Sequence, residues 1–478
     1  MTSMTDSSTK LSFKRNAMWA IAGSAATVLS QIVAIVVLAR LLTPYEFGVV
    51  TAATLVNQFA LIFVEFGVGP YVVQRSDLNE KCIGTAYRIS CFLGLLISFL
   101  IIMIAPLLAN FLDAPELTLV LRVYSIMFLI FGWYAIYDAL TQRALDYAYL
   151  ARADAISFSI GYAGVSISCA LLGFSYWSLV IGHISQMAIR GTFLRLRHKN
   201  LSQYQMSLND ARSIMHFGFG QTLSRIASMI ASQADGYVVA TRLGITAIGT
   251  YGRANQLVTM PAAQLGQIFD KLIFPHISRT QDEHKRSATT YLNAITGICI
   301  LSFPVCVLFW VCGESIVNFL LGAKWHEVTQ PLKVLALAIP FRLIHKVSDP
   351  TARAMGKTYS RAWRQWVVAV SLVSLVLILS PYGLVAIAWA VVVTSIVDAG
   401  LMVWLCFRVT HFQISQLTQA FKPGLYAGLV ALLAINGILE VPFLQELNDV
   451  FQLLIACMFF VVIVFFFLRN FLKRLNLA

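Results

Sequence analysis

About fourteen apolar stretches, each roughly 18–25 residues long, follow one another along this chain and are separated by short polar breaks. A helix needs about 20 apolar residues to cross the hydrocarbon core of a bilayer. The hydrophobic share of 58% also exceeds the roughly 45–50% that is usual for soluble domains. We therefore predict an all-α polytopic membrane protein of about fourteen transmembrane helices, with breaks too short to hold a soluble catalytic domain.

Positive charge is distributed unevenly over the polar breaks, although the net charge of the chain is +13. In the predicted topology, 27 of the 35 Lys and Arg residues lie in alternate breaks or at adjoining helix ends, and 3 lie on the opposite side. Lys and Arg concentrate in cytoplasmic loops. This pattern predicts a multi-pass protein of the bacterial inner membrane with both termini in the cytoplasm. It explains the cations without a nucleic acid partner and leaves membrane lipids as partners.

The residues show no pattern typical of an enzyme, a metal site or a cofactor site. The eight cysteines lie in or beside apolar stretches and form neither a C-x-x-C nor a Cys/His cluster, so we predict small core residues and no metal. There is no nucleotide-binding P-loop, no nucleophile elbow and no H-E-x-x-H motif, and thus no predicted catalytic residue or cofactor. Transport by this chain is expected to be driven by a gradient.

An internal repeat divides the predicted helices into two groups. R-A-L-D-Y-A-Y at Arg143–Tyr149 returns as R-A-M-G-K-T-Y at Arg353–Tyr359, in both cases after the fourth helix of a six-helix block. This predicts two parallel six-helix lobes around a central cavity, because transporters place their substrate path between such repeats. The predicted parts are a cytoplasmic segment 1–15, an N-lobe 16–200, a cytoplasmic linker 201–212, a C-lobe 213–410, and a C-terminal helix pair with a basic tail 411–478.

Polar side chains form stripes within several predicted spans. The seventh span carries Gln221, Arg225, Ser228, Ser232 and Asp235 on one helical face; the eighth carries Arg253, Gln256 and Gln264; the second, over residues 46–69, carries Gln58 and Glu65. A charge at the bilayer centre costs about 2.5–3.5 kcal/mol even on lenient scales. These side chains must therefore face protein or water. We predict that the substrate cavity is lined by Arg225, Arg253, Gln221, Gln256, Gln264 and Gln58.

Two interpretations of the charged stripe residues stay open. Internal ion pairs, such as Arg225 with Asp235 or Arg253 with Glu65, would satisfy the charges. Alternatively, both arginines bind an anionic headgroup, because a guanidinium offers a fork of donors that matches phosphate oxygens.

The carboxylates leave a similar choice. Asp235 either pairs with Arg242 or Arg253, or it carries a coupling ion; Asp235, Glu65 and Arg242 are the candidates for these roles. Asp398 and His183 stand alone in apolar spans, and we interpret both as packed hydrogen-bonding residues.

Several motifs, in order along the chain, resemble one transporter family. They are A-R-L-L-T-P-Y-E-F-G (39–48), F-V-E-F-G-V-G (63–69) with V-V-Q-R (72–75), G-T-Y-G-R-A-N (249–255), F-P-H-I-S-R (274–279) and L-L-G-A-K-W (320–325). The chain resembles Wzx-type polysaccharide flippases of the MOP exporter superfamily, in the branch that serves colanic-acid-like exopolysaccharides and teichuronic acid.

The resemblance implies a MATE-like fold and a function. The implied activity is the transfer of an undecaprenyl-pyrophosphate-linked oligosaccharide across the inner membrane by alternating access, with other polysaccharide assembly proteins as further partners. In the related lipid II flippases, arginines on helices 1, 2 and 8 line the cavity; Arg253 matches the one on helix 8. Helices 1 and 2 have no mid-span Arg here, so this headgroup site does not transfer residue by residue.

Two alternative functions are a multidrug exporter and a polysaccharide polymerase or glycosyltransferase, and each would need features that differ from those of this sequence. A multidrug exporter of the same superfamily would need an acidic cavity for cationic drugs, whereas the stripes hold mainly Arg and Gln. A membrane polysaccharide polymerase or glycosyltransferase would need a large periplasmic loop with paired functional groups. The longest breaks, 195–212 and 271–289, are both predicted in the cytoplasm.

Overall fold

The described part of the chain is built entirely from helices. A computed structural model describes residues 26–198, 201–279, 283–355, 358–439 and 449–476. Every regular element in these ranges is helical, which confirms the all-α prediction. The predicted cytoplasmic segment 1–15 and the start of the first predicted span lie outside the described residues.

The α-helices described in the first half are α1 (Ala26–Leu41), α2 (Pro44–Glu65), α3 (Val68–Gln74), α4 (Glu80–Phe111), α5 (Glu116–Tyr124), α6 (Ile126–Arg143), α7 (Tyr147–Ile156), α8 (Val165–Leu171), α9 (Trp177–Arg195) and α10 (Leu208–Leu243). A π-helical segment, Ser157–Gly164, joins α7 to α8.

The second half continues with long helices and two short connecting ones. They are α11 (Ile245–Arg279), α12 (His284–Val311), α13 (Gly313–Leu320), α14 (Thr329–Ala336), α15 (Ile339–Ala354), α16 (Thr358–Leu379), α17 (Leu384–Thr410), α18 (Ile414–Leu439) and α19 (Asp449–Asn476). Short 3₁₀ segments occur at Leu201–Gln203, Ala323–Val328 and Ser380–Tyr382.

Nine helical stretches among the described residues are long and apolar enough to cross a membrane. They are Pro44–Glu65, Glu80–Phe111, Glu116–Arg143, Tyr147–Leu171, Lys285–Val311, Trp363–Tyr382, Leu384–Thr410, Ile414–Ile438 and Phe451–Lys473, with Ala26–Leu41 as a shorter apolar helix. The long helix α10 is not among them because polar side chains run along it. The number of fourteen spans stays a prediction.

Contacts within the chain define two compact units. The first holds residues up to Met229 together with Gly244–Gly249, and the second holds Ile230–Leu243 together with the chain from Thr250 onward. Helix α10 therefore begins in the first unit and ends in the second. The lobe boundaries expected from the internal repeat stay a prediction.

Local sequence explains why α2 begins where it does. Thr43 is the N-cap: its hydroxyl accepts from the Glu46 backbone N–H at 3.3 Å, and the Glu46 carboxylate accepts from the Thr43 N–H at 2.6 Å. This reciprocal capping box satisfies backbone donors that the first turn leaves open. Pro44 follows at the first helical position, where its missing N–H costs nothing. The T-P-Y-E sequence thus fixes the start of a span.

Close backbone contacts hold the first unit together. A Cβ at Gly48 on α2 would overlap the Ile245 carbonyl, and one at Gly249 would overlap the Pro44 carbonyl. Helices α4 and α6 approach in the same manner, since a Cβ at Gly94 would lie 2.5 Å from the Phe128 carbonyl oxygen. Small residues permit this approach, which drives helix association in membranes.

In the second unit, α18 packs closely on α12, and α19 joins them. A Cβ at Gly424 would lie 2.5 Å from the Cβ of Cys299. Further along the same helices, Ala427, Ala431 and Ile463 form a small buried cluster. These contacts attach the C-terminal helix pair, α18 and α19, to α12.

Candidate functional site

A break at the end of α2 determines where Glu65 lies. The helix stops because the next two residues adopt left-handed backbone conformations, with φ of 36° at Phe66 and 65° at Gly67. Glycine takes this conformation without a steric penalty. A Cβ at Gly67 would lie 2.9 Å from the Cβ of Gln221, so the turn rests directly on α10. The span predicted as continuous over 46–69 is therefore interrupted, and Glu65 is placed beside the polar face of α10.

Arg225 lies one turn beyond Gln221 on α10, and its guanidinium forms an ion pair with the Glu65 carboxylate. The side chains are 37% and 27% exposed, respectively. The sequence suggested other partners, Asp235 for Arg225 and Arg253 for Glu65. The pairing differs because it depends on the break after Glu65, which hydrophobic periodicity does not reveal.

This ion pair forms part of the first-unit cavity, a space of about 280 Å³. Its polar lining comes from α2, α3, α4, α6 and α10: Glu65, Gln74, Ser90, Asp138, Gln142 and Arg225. Both signs of charge are present, so the cavity is polar without being strongly acidic or basic.

The second carboxylate of the first-unit cavity, Asp138, is also paired. Arg190 on α9 donates to both carboxylate oxygens of Asp138 at 3.3 Å and to Asp154 at 2.7 Å. Its guanidinium also lies 5.5 Å from the ring centre of Tyr134. Arg190 is thus held by its neighbours, whereas Arg225 pairs with one carboxylate at the cavity lining.

A second polar space, the second-unit cavity of about 370 Å³, lies among α10, α11, α15, α16 and α17. Its polar lining is Ser232, Asp235, Asn255, Thr259, Arg342, His345, Lys346, Thr394, Ser395 and Asp398. Five of these side chains are titratable, which makes this cavity richer in ionisable groups than the first.

Asp235 is buried, with 4% exposure, and accepts a hydrogen bond from the Tyr251 hydroxyl at 2.5 Å. The structure thus gives it a partner other than Arg242 or Arg253. Asp398 lies 3.0 Å from Nδ1 of His345, and His183 bonds the Tyr124 hydroxyl at 2.7 Å. The interpretation of His183 as a hydrogen-bonding residue is confirmed, whereas Asp398 is half-buried in the lining of the second-unit cavity beside His345.

The other predicted site residues whose side chains the structure describes lie outside the linings of these two cavities. Arg253 is half-buried on α11 and donates to the side-chain oxygen of Gln256. Gln58 on α2 and Arg242 near the end of α10 are exposed. The side chain of Gln264 lies outside the described residues.

The polar stripe of α10 is divided between the two units. Arg225 lines the first-unit cavity, whereas Ser232 and Asp235 line the second-unit cavity. The sequence pattern did not predict that α15 lines the second-unit cavity through Arg342, His345 and Lys346. It placed Arg342 and Lys346 among the cations of a cytoplasmic helix end and gave His345 no role. Their spacing of three and four residues places them on one helical face, and this signal was present in the sequence.

Arg225 supplies the positive charge in the lining of the first-unit cavity. A guanidinium presents a planar fork of donors that can bind phosphate oxygens in bidentate fashion. In the ion pair, one oxygen of the Glu65 carboxylate contacts one nitrogen of this fork. A phosphate group that entered the cavity would compete with Glu65 for Arg225, and no catalytic group is needed for that exchange.

The sequence matches a known protein family over most of its first two thirds. A family model described as polysaccharide biosynthesis protein matches residues 37–330. The chain belongs to this family. Its relatives include the teichuronic acid biosynthesis protein TuaB of Bacillus subtilis (strain 168), with 25% identity over 87% of each chain. Another is the succinoglycan biosynthesis transport protein ExoT of Rhizobium meliloti (strain 1021), also 25% identical, over 96% of this chain and 94% of the relative.

Solved structures agree on the fold of this polysaccharide biosynthesis protein. The lipid II flippase MurJ in its inward closed conformation is similar, with a TM-score of 0.77 and 17% identity over 95% of this chain and 100% of that chain. A MATE-family multidrug resistance transporter of the MOP superfamily, inward-facing, is similar with a TM-score of 0.60 and 15% identity, over 80% and 95% of the two chains. The protein is a multi-pass membrane protein with the MOP fold, and the family resemblance seen in the sequence is confirmed.

Proposed function

We propose that this protein moves an undecaprenyl-pyrophosphate-linked oligosaccharide from the cytoplasmic to the periplasmic leaflet of a bacterial inner membrane, by alternating access. The relatives named for teichuronic acid biosynthesis and succinoglycan transport support a surface polysaccharide as the end product. The similarity to a lipid II flippase supports a fold suited to a lipid-linked sugar.

The observation that carries the proposal is the ion pair of Arg225 with Glu65 in the first-unit cavity. A guanidinium within a membrane protein is costly unless it is paired. Here its partner is a carboxylate, which a pyrophosphate can replace with similar geometry and more charge. Glu65 therefore keeps Arg225 satisfied until a headgroup arrives.

A multidrug exporter remains the alternative within the same fold. It would use the carboxylates of the first-unit cavity, Glu65 and Asp138, to bind a cationic drug. Both of these carboxylates are neutralised by arginines, Arg225 and Arg190, which favours the anionic substrate.

The test compares Arg225→Ala, Arg225→Lys and a neutral double variant, Glu65→Gln with Arg225→Gln. Polymer export and accumulation of the lipid-linked repeat unit are measured in cells, together with the amount of protein in the membrane. Arg225→Ala should abolish export, Arg225→Lys should keep part of it because Lys cannot bind in bidentate fashion, and the double variant should keep its protein level but not its export.

Arg122→Ala is the matched control, since Arg122 is exposed on α5, and it should export normally. Full export by the neutral double variant would show that the pair is only structural and would refute the role of Arg225. Arg253→Ala, tested in parallel, decides whether the arginine on α11 also contributes to headgroup binding.

A further inference from the structure

A third cavity lies away from the two already described, where α12 meets the C-terminal helix pair. This helix-pair cavity measures about 740 Å³ and is bounded by the beginning of α12, the beginning of α18 and the end of α19. It lies wholly within the second unit. The described part of its lining contains no residue of the family motifs or of the polar stripes. A role in the predicted substrate path therefore does not account for it.

Hydrogen-bonding groups dominate one part of its lining, and the positive charge comes from a single lysine. The polar side chains of the lining are Thr289, Asn293, Thr296, Gln416, Gln419, Lys422 and Asn470. No carboxylate occurs among the described residues that line the cavity. Amides and an ammonium group without a competing acid favour an anionic ligand that also accepts hydrogen bonds.

A proline in α18 adds a backbone acceptor to the same wall. Pro423 lies inside the helix and has no N–H, so it cannot bond the carbonyl of Gln419 four residues earlier. That carbonyl belongs to a lining residue. It can accept a hydrogen bond from a hydroxyl of a ligand, such as a hydroxyl of a glycerol headgroup.

The lining changes from polar to apolar along the helix pair. Tyr426, Phe467 and Phe471 complete the cavity wall, and beyond it α18 and α19 expose Leu429 and Phe466 at 53% and 58%. A polar space that continues into an exposed apolar surface matches the amphipathic shape of a phospholipid. Two further basic residues, Arg469 and Lys473, lie at the same end of α19. This end belongs to the predicted cytoplasmic side, where positively charged pockets between membrane helices bind anionic lipids.

We propose that the helix-pair cavity binds the headgroup of an anionic glycerophospholipid such as phosphatidylglycerol. Lys422 contacts the phosphate, the amides of Asn293, Gln419 and Asn470 bond the phosphate and glycerol oxygens, and the acyl chains lie along the exposed face of α18 and α19. The site is independent of what the protein transports, and it is separate from the cavity that holds Arg225.

The test measures lipid binding to the purified full-length protein by native mass spectrometry, without lipid-linked sugar. Phosphatidylglycerol is titrated against the wild type, Lys422→Gln, Lys422→Arg and Thr289→Trp, which places a bulky side chain in the cavity lining without removing charge. Loss of one lysine contact should weaken binding about five-fold, Lys422→Arg should bind as the wild type does, and Thr289→Trp should weaken binding as well. Lys324→Gln is the matched control, because Lys324 is an exposed lysine outside the cavity.

Competition identifies the source of the phosphate group. Phosphatidylethanolamine, whose own ammonium group offsets the charge of its phosphate, should bind more weakly than phosphatidylglycerol and should lose less affinity in Lys422→Gln. Displacement of phosphatidylglycerol by excess inorganic phosphate, or preferential binding of undecaprenyl pyrophosphate, would overturn the proposal in favour of a free anion or the transported lipid. Unchanged binding in both Lys422→Gln and Thr289→Trp would also overturn it. None of these outcomes depends on export, so they leave the proposed function untouched.

Discussion

Among single residues, His198 occupies a position outside the membrane spans that makes it sensitive to pH. Its Nε2 lies 2.8 Å from the Thr141 hydroxyl, which already donates to the Tyr137 carbonyl at 2.7 Å. Nε2 therefore carries the hydrogen in this bond. The ring also stacks on Tyr137, with centroids 6.1 Å apart. Burial, and then the charge of Arg197, lower the pKa of His198 below its usual value.

This environment predicts a loss of stability in acid. A histidine whose pKa is lower in the folded state takes up its proton more readily when unfolded, so its stabilising contribution is present above the usual pKa of about 6.5 and is lost as the pH falls through the folded pKa. His198→Gln keeps a donor for Thr141 but does not titrate. We expect it to reduce the acid-induced drop in melting temperature by on the order of a degree.

Thermal unfolding in detergent at several pH values checks this prediction. His216→Gln is the control, since His216 is exposed on α10, and it should keep the wild-type pH dependence. Identical pH profiles for the wild type and His198→Gln would contradict the assignment.

The sequence predicted which residues are polar within the spans but not which of them meet. Helical periodicity places Arg225 and Asp235 on one face of α10, and that much follows from the sequence alone. The partner of Arg225 depends on the left-handed turn at Phe66 and Gly67. The contact of His345 with Asp398 joins α15 to α17. Such contacts are set by tertiary packing, for which a single sequence holds no signal.

At the scale of helices, the contact between α2 and the beginning of α11 depends on two glycines. Both Gly48 and Gly249 face backbone carbonyls so closely that a methyl group cannot fit. The sequence flagged both positions only as parts of family motifs. The start of α2 was readable from its T-P-Y-E capping signal, whereas the close approach of two backbones was not.

Gly48→Ala and Gly249→Ala should each destabilise the protein by about 3 kcal/mol, at the upper end of overpacking costs, because the obstacle is backbone and cannot move aside. Gly400→Ala is the matched control. Nothing lies within 4 Å of a Cβ at Gly400 in α17, so alanine there should be neutral or stabilise by roughly 0.5–1 kcal/mol. Thermal unfolding and the amount of protein in the membrane measure the difference. Equal stability of the three variants would show that α2 and α11 are not in backbone contact.

At the scale of the whole molecule, the distribution of charge predicts the orientation in the membrane. Ser202, in the short segment between α9 and α10, is exposed and belongs to the predicted cytoplasmic side. Lys324, between α13 and α14, is exposed as well and belongs to the predicted periplasmic side.

In a cysteine-free background, Lys324→Cys should react with a membrane-impermeant thiol reagent added to intact cells. Ser202→Cys should react only after the membrane is made permeable. Labelling of Ser202→Cys in intact cells would contradict the predicted topology, including the cytoplasmic location of both termini.

The paired charges of the first-unit cavity have an electrical consequence. With Glu65 bound to Arg225 and Asp138 bound to Arg190, the charges of these pairs cancel in the empty cavity. These two pairs therefore contribute no net charge when an empty carrier moves through the membrane voltage. A bound pyrophosphate adds negative charge, and each elementary charge is worth about 2.3 kcal/mol per 100 mV. In the proposed cycle, an interior-negative voltage would then assist the loaded, outward half more than the return half.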